Sequence, residues 1–346
     1  MEILYFGNEF PKEDLQDVFR LLHNHNKSVR HPLLDQLISN TTQAIKHEIK
    51  QLPSKLSELI PPFATLFDWA ENTELREGML CGAVEGVLLV LLQLSLYISH
   101  VENHAIAQQD LRSTRLTALG VGLLSAAAVA HSPNVADLPL HGAEAVRIAF
   151  RMGVHVRAVS HQLEARDLSE RPATWAYVVH NIGAGEAEAE LENMAASSSP
   201  TSKIFISAVS PTSVTISGPP SRLQALFRKS KIFRDATSIA LPVYGGLCHA
   251  PHIFRPRDVR AILDKESSLL DLQMPTLATS TLPLHSTSSG AAYLTRQDTS
   301  LFEHVVTELL TKRITWDNVV ADVIETASTS KSTDILLGCF GNSIPF

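Results

Sequence analysis

The chain opens on Ile3-Leu-Tyr-Phe6, an apolar run closed by Gly7, which is the pattern of a short strand entering a turn. Asn8-Glu-Phe-Pro11 turns the chain, and residues 12–24 carry an amphipathic helical pattern. Leu33, Leu34, Leu37, Ile38, Ala44, Ile45 and Ile49 recur at helical spacing and predict one or two helices over 31–53. Pro61-Pro62 breaks that pattern. Residues 74–101 predict a long helix with Gly78, Gly82 and Gly86 on one narrow face for close packing. Its richest stretch, Val87 to Ile98, is short and interrupted for a bilayer span and reads as core.

The next pattern organises the rest. Leu116 to Leu119 is β-capable, Gly120 and Gly122 follow, and a run of small residues over 121–131 predicts a tightly packed helix ended by Ser132-Pro133. Leu140 to Met152 predicts another helix, closed at Gly153, and helical character resumes over 154–168. From Trp175 the elements shorten. Strand 175–179, helix 184–194, a hairpin of 203–210 and 213–217 joined at Pro211-Thr212, helix 221–229 capped by Ser221, and strand 239–244 follow in turn. That β-α-β-β-α-β order is a ferredoxin-like unit. The expected fold class is therefore α/β: a large α/β-hydrolase-like domain, residues 1–153 and 240–346, carrying an inserted ferredoxin-like α+β subdomain over 154–239. Beyond it, 256–265 and 300–310 predict helices, 274–281, 284–287 and 335–337 predict strands, 321–326 fits either, and 338–341 is a closing glycine turn.

Charge and composition narrow the function. With 29 basic and 36 acidic residues the net charge is -7, and the basic residues form no stripe, so nucleic acid and anionic membrane are not expected partners. The acidic face of 184–194, with Glu186, Glu188, Glu190 and Glu192, reads as solvated. Cys81, Cys248 and Cys339 lie far apart without metal-site spacing, which suits a reducing, cytoplasmic setting and predicts no metal. No Rossmann or Walker glycine loop is present, and Met1 to Phe6 lacks the basic start of a signal peptide.

A strand, a sharp glycine turn and a helix form an elbow that lifts one side chain to the top of a sheet, beside backbone N–H groups at the helix start. Here that position is Gly120, which has no side chain. The backbone N–H near Val121 is the candidate oxyanion donor. Gly245-Gly-Leu-Cys-His-Ala-Pro-His252 sets His249 on a second turn, stiffened by Pro251, as the candidate base. Nucleophile, base and N–H donors are the parts acyl transfer needs. Glu9, at the end of the first strand, is placed to stand beside such a site. Ser125 lies more than a turn down the helix and is not an obvious replacement nucleophile, and Cys248, next to His249, is the one alternative, although neighbouring side chains on a turn usually diverge.

Six stretches together resemble the starter-unit acyl-carrier-protein transacylase domain at the N-terminus of fungal non-reducing polyketide synthases, in the malonyl/acyl transacylase superfamily. They are Phe6-Gly-Asn-Glu9, Pro62-Phe-Ala-Thr-Leu66, Gly122 to Ala130, Ser207 to Pro220, Leu241 to His252 and Ile314-Thr-Trp-Asp317. The resemblance covers almost the whole chain. It implies a Cys nucleophile in a G-x-C-x-G elbow, which falls on Gly120, a catalytic His, which falls on His249, and an oxyanion-side Gln, which falls on Glu9. Malonyl-selective relatives carry an Arg for the malonate carboxylate where this chain has Met152, so a neutral, greasy acyl chain is implied as substrate. The resemblance further implies transfer of a fatty or reduced-polyketide starter from an acyl thioester to the phosphopantetheine thiol of an acyl carrier domain. No cofactor is expected on this domain itself. The implied partners are the carrier and ketosynthase domains of one synthase, dimerised through other domains, with a reducing polyketide or fatty-acid synthase supplying the starter. The alternative, given Gly120, is a catalytically silent docking module of the same fold.

Overall fold

In the computed structural model of the chain, the residues described are 1–10, 15–26, 32–104, 114–132, 134–165, 173–195, 200–263, 282–293, 300–329 and 334–341. Strand β1 (Glu2–Phe6) is followed by helices α1 (Leu15–Asn26), α2 (Pro32–Gln51), α3 (Ser54–Ser57), α4 (Phe67–Glu71), α5 (Thr73–Glu77) and α6 (Cys81–His104). Then come β2 (Thr114–Ala118), α7 (Gly122–Ala130) and α8 (Leu138–Leu163). The next group is β3 (Ala176–His180), α9 (Ala184–Ala195), β4 (Phe205–Val209), β5 (Ser213–Ser217), α10 (Pro220–Lys229), α11 (Lys231–Asp235) and β6 (Ser238–Ala240). The chain continues with α12 (Pro256–Ile262), α13 (Leu301–Thr311), β7 (Ile314–Thr315), α14 (Trp316–Thr329) and β8 (Leu336–Phe340).

Two sheets result. The first is parallel, in the order β2-β1-β8. Its central strand is buried from Ile3 to Phe6, as a parallel strand covered on both faces must be. Helices α6, α7 and α8 pack together beside it, and α2 and α13 close the layer. Their apolar side chains form the main core. The second sheet runs β6-β3-β5-β4-β7 and has its own core around Val179, Ile216, Leu223 and Phe233. The β4–β5 hairpin therefore pairs with β3 and not with β1. A bulge between Ile206 and Ala208 turns the Ser207 hydroxyl onto that of Ser217, 2.7 Å away. Strand β7, from far along the chain, adds to this sheet in parallel with β4.

The structure corrects several element readings. Helix α8 runs unbroken through Gly153, so the expected boundary at 153/154 falls inside a helix. Gly153 is there for packing: a Cβ on it would overlap the Ala83 backbone where α8 crosses α6. The same explanation covers Gly82, whose Cβ would stand 2.9 Å from the Gly245 Cα. Ser221 does not cap α10, which starts at Pro220. Its N–H and hydroxyl instead bind the Glu164 carboxylate, the hydroxyl at 2.7 Å. The strand expected over 239–244 ends at Ala240, and 321–326 is helical within α14. The run Val87–Ile98 lies in a 24-residue helix, long and apolar enough to cross a membrane, yet buried in the main core. The strand expected over 274–281 lies outside the described residues.

Candidate active site

The C-terminal ends of β1, β2 and β8 meet at one point. Gly7 N–H donates to Phe340 O at 3.0 Å, and Leu119 N–H donates to Phe6 O at 2.9 Å. Gln93, from the apolar helix α6, reaches in from below. Its amide Nε2 donates to Gly7 O at 2.5 Å and to Phe340 O, while its Oε1 accepts the Ser125 hydroxyl at 2.6 Å. Ser125 is fully buried in that bond, which removes it as a nucleophile.

Gly120 sits at the turn from β2 to α7 with φ +54°, the left-handed conformation that glycine adopts without cost. Gly122 is required for a different reason: a Cβ there would overlap Phe6 O and stand 2.7 Å from Gly7 O. Helix α7 therefore starts hard against the end of β1. Around the turn, the N–H groups of Gly122, Leu123 and Leu124 are taken by the carbonyls of Leu119, Gly120 and Val121. The Val121 N–H instead donates to Asn8 Oδ1 at 2.9 Å. Asn8 and Glu9 are exposed and follow β1 directly. Glu9, Gly120 and Val121 are thus brought to one sheet end, as the sequence reading expects. Asn8, which that reading does not single out, lies against the elbow through its hydrogen bond from Val121 N–H.

His249 belongs to a separate segment, held in three ways. Gly245 packs on Gly82, Leu247 N–H donates to Ser160 Oγ at 2.9 Å, and the backbone N–H groups of His249 and Ala250 donate to Leu309 O and Leu310 O at 2.8 and 2.7 Å. His249 itself has φ +55°, a strained conformation for a side-chain-bearing residue. Its Nδ1 lies 2.7 Å from Lys312 O at the end of α13. A carbonyl only accepts, so Nδ1 carries a proton. Burial lowers the His249 pKa, against the pull of the Lys312 carbonyl and of the Glu308 carboxylate and backbone carbonyl. The imidazole is therefore neutral at pH 7 and fit to take a proton. Helix α13 packs against α7, so the base and the elbow rest on adjoining helices.

The buried carboxylate of Glu308 is itself well held. It accepts from Ser286 Oγ and Thr287 N at 2.6 Å and from Thr287 Oγ1 at 2.7 Å, fixing the 284–293 loop to α13. Cys248 packs against the main core, and burial raises its thiol to about 12. So little thiolate exists at neutral pH that it makes a poor nucleophile. Met152 lies on α8, 5% exposed in the main core. Beside it, Arg151 pairs with Glu48 of α2 at 2.7 Å, and Arg147 binds Glu144, its Nε at 2.8 Å from Oε2. Among the described residues no cluster of three or more metal-ligating side chains occurs.

The sequence holds signals for the residues it does not single out. Asn8 directly follows the glycine that ends β1. Gln93 is one of two polar residues in the run Val87–Ile98 that are buried with the apolar ones, and a polar group in such a run needs a buried partner.

Comparison with known proteins shows the family and the fold. The family described as "Starter unit:ACP transacylase in aflatoxin biosynthesis" matches residues 4–247. The chain is 51% identical over its full length to the non-reducing polyketide synthase PKS8-1 of Pseudocercospora fijiensis, covering 20% of that protein. It is 47% identical over 99% of its length to the atrochrysone carboxylic acid synthase of Passalora fulva, covering 19% of it. The chain thus spans about one fifth of the length of these relatives. Among solved structures, FabD from Acinetobacter baumannii superposes with a TM-score of 0.62 at 12% identity, over 99% of this chain and 94% of that one. The malonyl CoA-acyl carrier protein transacylase of Burkholderia pseudomallei gives 0.57 at 15% identity, over 99% and 94%. The fold is that of the acyltransferases, and the chain belongs to the starter unit:ACP transacylase family of fungal non-reducing polyketide synthases.

Proposed function

We propose that this chain handles the starter acyl group of a non-reducing polyketide synthase and passes it to the acyl carrier domain by direct thiol attack. No covalent acyl-enzyme is formed on the way. The observation that carries the reading is the His249 imidazole, strained in backbone and held at Nδ1 by Lys312 O. In the step proposed, the phosphopantetheine thiol of the carrier gives its proton to His249 Nε2. The thiolate attacks the carbonyl of the incoming acyl thioester, and the old carbon–sulfur bond breaks. His249 then returns the proton to the departing sulfur. The Val121 N–H, at the start of α7, supports the charge that develops on the carbonyl oxygen. Gly120 holds the turn but supplies no nucleophile, and Glu9 stands where an amide would help more than a carboxylate.

Met152 supports a neutral acyl chain, since a thioether offers a malonate carboxylate no partner. Titration calorimetry with hexanoyl- and malonyl-pantetheine checks this, and tighter malonyl binding would remove Met152 from the account. We read the chain as two units, with the smaller one beginning after α8 and ending at β6. The carrier and ketosynthase domains of the same cytoplasmic synthase are the proposed partners, and a reducing polyketide or fatty-acid synthase is the proposed source of the starter.

A second reading, a silent docking module, is favoured by one observation: Asn8 Oδ1 already holds the Val121 N–H. Steady-state kinetics separate the two. Direct transfer predicts sequential kinetics in acyl-CoA and carrier and a loss of about 100-fold or more in His249→Ala. Ping-pong kinetics would show a covalent route. A native rate equal to that of His249→Ala would leave the silent module.

A further inference from the structure

We infer that Asn8 is the residue that decides what the elbow can do, because its side-chain amide fills the nucleophile's place. A Cβ built on Gly120 would overlap Oδ1 and Cγ of Asn8 and stand 2.9 Å from Nδ2. The same Oδ1 accepts the Val121 N–H at 2.9 Å, which fixes the orientation of the amide. One side chain thus occupies both parts that a covalent site would need, the nucleophile's volume and the oxyanion donor. Asn8 and Gly120 form a matched pair. With Asn8 in this position, a side chain at 120 has no room, and with glycine at 120, Asn8 covers a helix-start N–H that would otherwise lack a protein partner. Returning a nucleophile to position 120 therefore requires the Asn8 amide to move aside and give up its bond from Val121 N–H, and a thioester carbonyl that uses that N–H must displace Oδ1.

The inference rests on the elbow being the acyl site, but its test needs no acyl group. Gly120→Cys and Asn8→Ala/Gly120→Cys are prepared in the full chain and treated with iodoacetamide. Alkylation of the thiol introduced at position 120 is mapped apart from that of Cys81, Cys248 and Cys339. The expected result is alkylation at least about fivefold faster with Ala at position 8, in line with the coupling of residues in contact. Equal rates would overturn the inference. A thermal cycle serves if the cysteine variants fold poorly. The left-handed backbone burdens Gly120→Ala equally in either background and so cancels. The Tm loss from Gly120→Ala should be smaller in the Asn8→Ala background, and equal losses would contradict the pairing. Hexanoyl-CoA added to both cysteine variants reads the acyl site separately. Faster alkylation without any acylation would uphold the Asn8–Gly120 pairing and sink the acyl-site reading.

Discussion

Two residues of the proposed site have left-handed backbones, Gly120 at φ +54° and His249 at +55°. For Gly120 the conformation is free. For His249 it is strained, and the hydrogen bonds to Leu309 O and Lys312 O hold it there. In the proposed site, Glu9 is the position where a carboxylate replaces the amide that the resemblance implies. Glu9→Gln should raise the rate of acyl transfer to the carrier domain by about fivefold, the equivalent of about 1 kcal/mol for an exposed charge. A radiolabelled acyl-transfer assay reads this directly, and a slower Glu9→Gln variant would place the carboxylate on the helpful side. Gly120 and His249 are legible in the sequence because a glycine turn between strand and helix, and a His between glycines and proline, are local patterns. Asn8 has only its place after Gly7 as a signal, because its meaning lies in contact with Val121, a residue more than a hundred positions away.

At the scale of elements, Gln93 ties the site to the core. It links α6 to the ends of β1 and β8 through the Gly7 and Phe340 carbonyls, and to α7 through Ser125. Gln93→Leu would leave the Ser125 hydroxyl and a buried carbonyl without partners, at about 1–3 kcal/mol each. Urea unfolding should show a loss of about 2–5 kcal/mol with an unchanged m-value. A loss under about 0.5 kcal/mol would mean the strand ends are held by their own ladder. The order of strands and helices through the ferredoxin-like unit can be read from alternation and turn residues. Helix ends cannot. Gly153 looks like a stop because a lone glycine after a helix is the usual C-terminal signal. Only the approach of Ala83 from α6 shows that it serves a crossing instead.

For the molecule as a whole, two histidines lower stability in acid. His131, at the end of α7, is 1% exposed, has no hydrogen-bond partner for its ring among the described residues, and is lowered to about 3, first by burial and then by His141. His252 is lowered to about 4 by burial and by Lys203 and Arg255. Between those values and about 6.5 the unfolded chain binds protons that the folded chain refuses, so stability falls as pH falls through this window. Each histidine contributes a slope of up to about 1.4 kcal/mol per pH unit. His131→Leu should flatten the decline measured by urea unfolding between about pH 6.5 and 4.5, and an unchanged slope would mean that His131 titrates normally. The two-sheet architecture is within reach of the sequence. The joining of β7 to the second sheet is not, since two residues in a parallel register leave no periodic signal.

The central claim is that the acyl group crosses from thioester to carrier without resting on this chain. Intact-protein mass spectrometry of a mixture of the native chain, hexanoyl-CoA and phosphopantetheinylated carrier domain tests it in one spectrum. The account predicts a hexanoyl increment on the carrier, dependent on His249, and an unshifted mass for this chain. A hexanoyl increment on the chain itself, mapped to Cys248 or any other residue, would contradict it.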